Sequence, residues 1–578
     1  GEFEIKYTFG IEPLQQYLVP FPGGRLQALP IAWDTERKRW FTLNPDTVIA
    51  PEDWLHWTRN GQSWNGMCAE CHSTNLEKNL DPDTGTYATT WSEIDVSCEA
   101  CHGPGSRHVA WAQADNEDTQ SVDNFGLEVV SSGLDNRRYV EMCAACHARR
   151  SEVGNYEHGQ ADLLEHFVPA LLGEGLYHAD GQILDEVFVW GSFVQSKMYR
   201  NGVSCGDCHD PHSLLLLREG NALCTHCHEP ETYDTSSHHF HQPLVLGEPS
   251  DGALCVKCHM PEQAYMVIDY RADHSLRMPR PDLSASLGVP NSCSQSGCHD
   301  DEALDWVVDA YTRWFGEADM PHYGSVLAAA RAGDAGARDG LIALADDPLA
   351  ATIVRATALR ALAAYPPERS MPVIQRALAD EEPLLRHTAA EALVTDGSEM
   401  SARLLAPLLF DPVRAVRMRA ASQLAGIPRE YLMGEQSAAL DRELKAYVTA
   451  MRSMLDFASS GLNLGNLYDM QGDPESAEHY YRKAIEVDDL FFPAKMNLAV
   501  LLSRTGRDQE AESLLREVLD AYPEQYDAAY SLALLLVASG NREEALTYLD
   551  RAARGLPGRP RVHYNRGLLL AQLGRDAD

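Results

Sequence analysis

Cysteine and histidine form seven short motifs between residues 68 and 299. In six motifs two residues separate a pair of cysteines and a histidine follows directly, and in the seventh the gap is four residues. The motifs contain every cysteine of the chain: Cys68 and Cys71, Cys98 and Cys101, Cys143 and Cys146, Cys205 and Cys208, Cys224 and Cys227, Cys255 and Cys258, Cys293 and Cys298. We number them motifs 1 to 7, and their histidines are His72, His102, His147, His209, His228, His259 and His299.

This spacing is typical of c-type haem attachment. Two thiols on one turn can form thioethers to the two vinyl groups of a porphyrin, and the next imidazole can bind the iron. Zinc sites and dithiol redox pairs also use paired cysteines, but neither requires a histidine directly after the second thiol. Motif 7 alone could be half of a zinc site, yet no second thiol pair remains to complete one. We therefore predict seven covalently attached haems (heme c), with the fourteen cysteines as attachment sites and the seven histidines as proximal ligands.

The second axial ligand decides between an electron carrier and an enzyme. Twelve of the fifteen histidines outside the motifs lie between residues 56 and 322, so distal imidazoles are available for all seven irons. As distal ligands we predict His56, His108, His166, His178, His212, His239, His241 and His274. His158, His226, His238 and His322 complete the candidates, and each of the twelve could instead be a surface or hydrogen-bonding histidine. His212 follows its own motif too closely to reach its own iron, so it should serve a neighbour, as should His108.

Composition and charge limit the partners and the location. The chain has 578 residues and a net charge of −37, which disfavours nucleic acid and favours basic partners or divalent ions, although such acidity can also be simple solvation. No apolar run of about 18 residues could cross a bilayer. Because thioether attachment belongs to exported proteins, we expect a periplasmic or extracellular prokaryotic protein. The start at Gly1, in a strand-like alternation without Met, leads us to expect that the N-terminus has been removed.

The chain divides into four predicted regions. Residues 1–55 form a β-containing lead-in, and residues 56–301 form a loop-rich haem domain. Residues 302–454 repeat every 31 residues, at Arg355, Arg386 and Arg417, and resemble HEAT repeats. Residues 455–578 repeat every 34 residues, at Gly472, Gly506, Gly540 and Gly574, which is the tetratricopeptide pattern. The fold class is therefore mostly α, with an α-solenoid after the haem domain. Because Asp578 ends half a unit, we also expect a cut C-terminus.

Several strings resemble a known family. The segments 67–75, 97–108, 204–212, 238–241 and 255–261 are similar to the doubled C-x-x-C-H multihaem cytochromes that carry C-terminal tetratricopeptide repeats. Members of that octahaem-like family commonly have an eighth motif upstream, which this sequence lacks. The resemblance implies either an oxidoreductase related to nitrite and hydroxylamine enzymes, a pure electron conduit, or a subunit of an extracellular wire.

Two functions follow from these patterns. The first is electron transfer along bis-histidine haems between redox partners, in a periplasmic or extracellular assembly or filament, and the spare histidines favour it. The second is a reductase of small nitrogen or sulfur compounds with one open haem, whose pocket could include Arg107, Tyr265 and Arg271. A weaker third possibility is that the repeats carry the function, as a binding surface, and that the haems only sense redox state. We expect residues from about 302 onward to lie outside the haem stack as a curved arm that docks other redox proteins or identical subunits.

Overall fold

The computed structural model describes residues 2–114, 122–154, 162–245, 247–318 and 320–575. His158 and Asp578 lie outside the described residues. The described chain is mostly helical, with an N-terminal sheet, several two-stranded pairs and a long helical solenoid. The predicted fold class is therefore confirmed.

The N-terminal strands form an antiparallel sheet in the order β1-β2-β4-β5, with β3 also pairing with β2. Their bounds are β1 Tyr7–Phe9, β2 Leu14–Pro20, β3 Leu26–Ala28, β4 Ile31–Asp34 and β5 Arg39–Thr42. Leu18 and Ala28 of this sheet share a small buried core with Trp64 and Ala69. The sheet therefore packs directly against motif 1.

Short helices and strand pairs surround the motifs. The helices are α1 Trp64–Met67, α2 Cys98–His102, α3 Ser106–Gln113, α4 Asn136–His147, α5 Trp190–Phe193, α6 Lys197–Arg200, α7 Pro230–Tyr233, α8 Ser236–His239, α9 Cys255–His259 and α10 Pro281–Leu287. The strands pair as β6 Leu80–Asp81 with β7 Thr86–Tyr87, β8 Arg150–Glu152 with β9 Phe167–Pro169, β10 His209–Asp210 with β11 Leu215–Leu216, β12 Leu244–Val245 with β13 Glu248–Pro249, and β14 Glu262–Tyr265 with β15 Asp269–Ala272.

The 31-residue repeats form stacked helices joined by an arginine ladder. The helices are α11 Leu304–Phe315, α12 Tyr323–Arg331, α13 Ala337–Asp346, α14 Thr352–Leu362, α15 Pro367–Ala377, α16 Pro383–Ala392, α17 Glu399–Leu405, α18 Arg414–Leu424 and α19 Gly434–Ser453. Each repeated arginine binds a carboxylate further along the solenoid: Arg355 with Asp380 at 3.0 Å, Arg386 with Asp411 at 2.6 Å, and Arg417 with Glu443 at 3.4 Å. The sequence period thus corresponds to a repeated contact between successive units.

The 34-residue repeats form helix pairs whose first members end at glycine. The helices are α20 Ala458–Met470, α21 Pro474–Val487, α22 Phe492–Arg504, α23 Asp508–Ala521, α24 Tyr526–Ala538, α25 Arg542–Gly555 and α26 Pro560–Gln572. Gly472, Gly506, Gly540 and Gly574 follow alternate helices and have φ values of 76°, 80°, 88° and 70°. Glycine adopts this left-handed conformation without a Cβ clash, which explains the period.

The two kinds of repeat attach to the rest of the chain differently. One continuous buried core contains Leu172 and Tyr177 of the haem domain together with Leu341 and Ile353 of the 31-residue repeats. Helices α21 to α26 instead form most of a second core of their own. We expected residues from about 302 onward to form an arm outside the haem stack; the HEAT-like part is not a separate arm, because its apolar helix faces share a buried core with residues of the predicted haem domain.

A second contact joins the solenoid to the N-terminal half. Asp456, between α19 and α20, is buried and accepts hydrogen bonds from Lys78 at 2.8 Å and from the hydroxyl of Tyr87 at 3.0 Å. The rings of Trp54 and Phe457 lie 5.9 Å apart beside it. The solenoid therefore touches the haem domain both near its start and at the junction between its two kinds of repeat.

Candidate haem-binding sites

Six motifs close a tight turn that carries the histidine back toward the first cysteine, whereas in motif 4 the turn leads into β10, which contains His209. Motifs 2 and 6 are short helices, α2 and α9, and motif 3 ends α4. In motif 1 the His72 N–H donates to the Cys68 carbonyl at 3.0 Å, and in motif 5 His228 makes the same bond to Cys224. Motif 7 makes an equivalent contact across its wider gap, from His299 to Cys293 at 3.0 Å.

Four motif histidines have a second histidine opposite them. Ring centres are 6.1 Å apart for His102 and His212, 6.3 Å for His209 and His274, 6.2 Å for His259 and His238, and 5.9 Å for His299 and His241. The ring planes differ by 3°, 24°, 11° and 39° in the same order.

This separation is the one that two imidazoles need on opposite sides of one metal. Each metal–nitrogen bond is about 2 Å long, and each ring centre lies about 1 Å beyond its nitrogen, so the centres should be about 6 Å apart. Direct ring stacking would bring the centres closer. The four pairs therefore fit axial ligation of haem iron by residues of this chain.

Hydrogen bonds to carbonyl oxygens fix which nitrogen of several histidines is available. The Nδ1 atoms of His259, His274 and His241 lie 2.8, 2.9 and 2.5 Å from the carbonyl oxygens of Arg277, Ala272 and His239. Because a carbonyl oxygen only accepts, each Nδ1 carries the proton and leaves Nε2 as the lone-pair nitrogen. Metal-binding histidines usually donate their other ring N–H to an oxygen acceptor in this way, which holds the ring in place. His108 makes the same bond, to the Phe125 carbonyl at 2.8 Å.

Burial also favours the neutral imidazole that a metal requires. Burial lowers the pKa of His72, His102, His147 and His209. The neighbouring His274 lowers the pKa of His147 and His209 further. These motif histidines are therefore held in the uncharged form, which binds metals.

The predicted distal histidines and the remaining candidates differ in whether they face the histidine of a motif. His212, His241 and His274 each lie opposite the histidine of a motif other than the one that precedes them in the sequence, and His108 has a suitably protonated Nδ1. His239 lies beside His241, and its Nδ1 accepts from the His241 N–H at 3.2 Å. His56 bonds Thr58 at 2.8 Å, His166 is buried next to Phe167, and burial lowers the pKa of His178. His226 is exposed, and Nδ1 of His322 accepts from the Gly324 N–H, which caps α12.

His238 is the residue that sequence reasoning ranked too low. It occupies the last turn of α8 and faces His259 of motif 6. The next residue but one, Phe240, has a left-handed φ of 57° and stacks on Trp314 of α11 at 4.8 Å. This turn sends His241 toward motif 7 while His238 points to motif 6. The closely spaced histidines at 238, 239 and 241 indicated a binding site in the sequence. They did not indicate which ring would face which motif.

Contacts between cysteines of different motifs give the spatial order of the motifs. The side chain of Cys71 lies beside that of Cys146, Cys143 lies beside Cys205, and Cys224 lies beside Cys255. Cys208 lies near Cys224, and Cys258 lies near Cys293. The motifs therefore neighbour one another in the order 1, 3, 4, 5, 6, 7.

Motif 2 lies beside this row rather than within it. Cys101 lies near Cys143 of motif 3, and His102 faces His212, which follows motif 4 in the turn between β10 and β11. Motif 2 is therefore a side branch near motifs 3 and 4.

Charged residues between motifs 1 and 3 are paired. Arg150 contacts Glu70 at 2.9 Å and lies 3.5 Å over the ring of Phe167. Arg271, a predicted pocket residue, binds both Glu186 and Asp269 at 2.8 Å and lies 5.2 Å from the Tyr265 ring. The charge of Arg271 is therefore balanced by protein carboxylates, and Arg107 is exposed on α3.

Zinc-type clustering is absent from the part of the chain that the structure describes, where no three His, Cys, Asp or Glu side chains converge as a metal cage. Within the same residues no helix has both the length and the apolar character needed to span a membrane.

Family models match four segments. The doubled CXXCH motif matches residues 197–232, which contain motifs 4 and 5. HEAT repeats match residues 338–425, and tetratricopeptide repeats match residues 462–526 and 509–573. No curated protein matches the chain. The chain thus combines a doubled haem-binding motif with two kinds of protein-interaction repeat.

Solved structures similar to the chain are tetratricopeptide proteins and MamA. MamA is 16% identical over 29% of this chain and 99% of its own, with a TM-score of 0.20. YrrB, described as a TPR protein with an unusual peptide-binding site, is 20% identical over 33% of this chain and 97% of its own, with a TM-score of 0.22. A thermophilic TPR protein from Thermus thermophilus is 16% identical over 40% of this chain and 99% of its own, with a TM-score of 0.22.

Proposed function

We propose that this chain is a multihaem c-type cytochrome that passes electrons between redox partners through seven covalently attached haems. The observation that supports this most is the set of four histidine pairs, each about 6 Å apart and each joining a motif to a residue elsewhere in the chain. An iron with two imidazole ligands has no open position for a substrate, so it is suited to electron transfer.

In this proposal the cysteines of each motif hold one haem and the motif histidine is its proximal ligand. His212, His274, His238 and His241 are the distal ligands for motifs 2, 4, 6 and 7. The haems supply a one-electron redox change, and the protein supplies attachment, orientation and neutral imidazoles. The neighbouring order of motifs 1, 3, 4, 5, 6 and 7 supports a continuous row of redox sites.

The location and partners belong to the same proposal. Because thioether attachment belongs to exported proteins, the proposed location is the periplasm or the outside of a prokaryotic cell. The repeats serve as surfaces for other redox proteins or identical subunits, in an assembly or filament. The reductase alternative would need a pocket with a free cation for its anionic substrate. Because protein carboxylates balance the charge of Arg271, this residue of the predicted pocket does not support that alternative.

Intact mass and electron paramagnetic resonance test the proposal. We expect the polypeptide plus seven haems by mass spectrometry and only low-spin signals in the oxidised protein. A mass with six haems would remove motif 7 from the set. A stoichiometric high-spin signal that shifts on addition of nitrite would replace the electron-transfer proposal with the reductase of small nitrogen or sulfur compounds.

A single substitution tests the ligand assignment. His238→Ala should convert one haem in seven to high spin, because its iron would lose one imidazole while the motif stays intact. His479→Ala removes an imidazole from α21 of the tetratricopeptide repeats and should leave the spectrum unchanged. An unchanged spectrum for His238→Ala, with all haems still attached, would contradict the assignment.

A further inference from the structure

Arg150 lies buried between motifs 1 and 3, whose cysteines Cys71 and Cys146 are neighbours. It is the first residue of β8 and follows His147 of motif 3 closely in the sequence, so the chain ties it to that motif. Its side chain is only 7% exposed, whereas that of the adjacent Arg149 is 45% exposed. The fold therefore places one of two consecutive arginines inside the haem domain and the other at its surface.

Contacts on several sides hold the Arg150 guanidinium against both motifs. Its Nε donates to the carbonyl of Ala145, inside motif 3, at 2.7 Å. Its Nη1 donates to the carboxylate of Glu70, inside motif 1, at 2.9 Å, and its Nη2 lies 4.0 Å from Sγ of Cys71. The guanidinium carbon lies 3.5 Å from the centre of the Phe167 ring. The positive charge is therefore fixed beside the attachment sites of two motifs.

The nearby carboxylates offset this charge only in part. Glu70 is 28% exposed, so water screens its charge more than that of Arg150. Glu152 also interacts with Arg150, but burial and the neighbouring Glu70 raise the pKa of Glu152 to about 8, so its carboxyl is mainly protonated at pH 7. A guanidinium does not lose its proton in proteins. The buried positive charge of Arg150 therefore outweighs that of its partly solvated partner.

A second cation near the same motifs does not have this property. Arg271 lies close enough to His72 and His147 to lower the pKa of both imidazoles. It is 30% exposed, however, and it pairs with two carboxylates. Of these two arginines, Arg150 is therefore the one whose charge is both buried and incompletely balanced.

We infer that Arg150 raises the reduction potentials of the haems at motifs 1 and 3, and so favours the presence of an electron at this end of the row. The inference rests on the proposed function, because it requires haem at both motifs. Reduction adds one electron from a redox partner to a ferric haem, no bond forms or breaks, and Arg150 keeps its protons. A fixed positive charge lowers the energy of the added electron, and burial strengthens this effect because the local dielectric constant is low.

A potentiometric titration of the full haem-loaded chain tests the inference, with dithionite as the reductant and haem absorbance as the signal. In Arg150→Gln we expect the oxidised-to-reduced ratio of one or two haems to rise at least about threefold at a fixed potential near their midpoint. The other haems should keep their native potentials. A smaller change, in a variant whose intact mass shows all seven haems, would overturn the inference.

Two further variants separate the charge of Arg150 from its packing. Arg150→Lys keeps the positive charge but loses the planar donor fork and its contact with Phe167, so it should keep the native potentials. If Arg150→Lys shifted the potentials as far as Arg150→Gln, packing rather than charge would set them, and the inference would be wrong. Glu70→Gln removes the opposing charge and should shift the same haems to higher potential. If Arg150→Gln does not load haem, a shift to lower potential or no shift in Glu70→Gln would overturn the inference.

Arg149→Gln is the matched control. It removes the same charge from the adjacent residue, which pairs with Asp185 at the surface, so solvent screening should leave the potentials unchanged. A shift as large as that of Arg150→Gln would show that burial of Arg150 is not the cause, which would contradict the inference. Absence of haem from motif 1 or motif 3 of the unmodified chain would overturn both the inference and the proposed set of seven haems. Unchanged potentials in a fully loaded Arg150→Gln protein would overturn the inference alone.

Discussion

The HEAT-like repeats and the tetratricopeptide repeats are both stacked helices, yet only the first are built into the haem domain. Leu172 and Tyr177 belong to the same buried core as Leu341 and Ile353, and Arg331 donates to the Tyr177 and Leu172 carbonyls at 2.9 Å. Helices α22 to α26 instead pack mainly on one another. The HEAT-like part of the solenoid therefore packs against the haem domain and shares its core. The tetratricopeptide part forms a separate core of its own.

The largest expected difference concerns deletions. Removing residues 489–578 should leave all haems attached and their spectrum unchanged, because this cut keeps Asp456 and the helices that meet the haem domain. Removing residues 323–578 should abolish haem loading, because it exposes the core around Leu172. Haem content per polypeptide measures both outcomes. Full haem content in the protein that lacks residues 323–578 would show that the HEAT-like repeats are not part of the haem domain.

Core substitutions sharpen the comparison. Leu172→Ala and Leu532→Ala each remove a fully buried leucine, so each should cost about 2–5 kcal/mol in its own folding unit. Leu172→Ala should lower the denaturant midpoints of both haem absorbance and helical circular dichroism. Leu532→Ala should shift only part of the dichroism and leave the haem transition in place. Identical shifts in both signals for Leu532→Ala would mean that the arm is not independent.

The smallest expected effect concerns the contact at the repeat junction. Asp456→Asn removes the charge that pairs with Lys78 and accepts from Tyr87, so we expect a loss of about 2 kcal/mol in the free energy of unfolding. Burial and the Asp456 carboxylate both raise the pKa of Tyr87, so its hydroxyl stays a donor. Asp83→Asn is the control: Asp83 is 72% exposed and pairs with Arg452, and it should cost less than about 0.5 kcal/mol. Equal losses would contradict the structural role of Asp456.

The periodic features were predictable because they depend on local chemistry. Gly472 and its equivalents mark helix ends because a left-handed residue follows each helix, and that requirement is visible as a 34-residue period. The recurring arginines at 355, 386 and 417 likewise reflect one repeated ion pair. The turn of each haem motif follows from its spacing, even in motif 7.

Long-range choices were not predictable in the same way. An apolar helix face looks the same in sequence whether it covers the next repeat or the haem domain, so the shared core around Ile353 was missed. The choice of His238 over His239 opposite His259 depends on the helical turn of α8 and the left-handed Phe240, which stacks on a tryptophan about 70 residues later in the sequence. The spatial order of the motifs also differs from their order along the chain.

The spatial order of the motifs determines what the loss of a single motif would do. In the described contacts motif 2 touches the row only from the side, whereas motif 4 joins motif 3 to motif 5 through Cys205 and Cys208. If electrons pass along the row as proposed, a defect at motif 2 would leave the path from one end of the row to the other unbroken, whereas a defect at motif 4 would divide the row into two separate parts. Motif 2 is therefore dispensable for the continuity of the row, and motif 4 is essential for it.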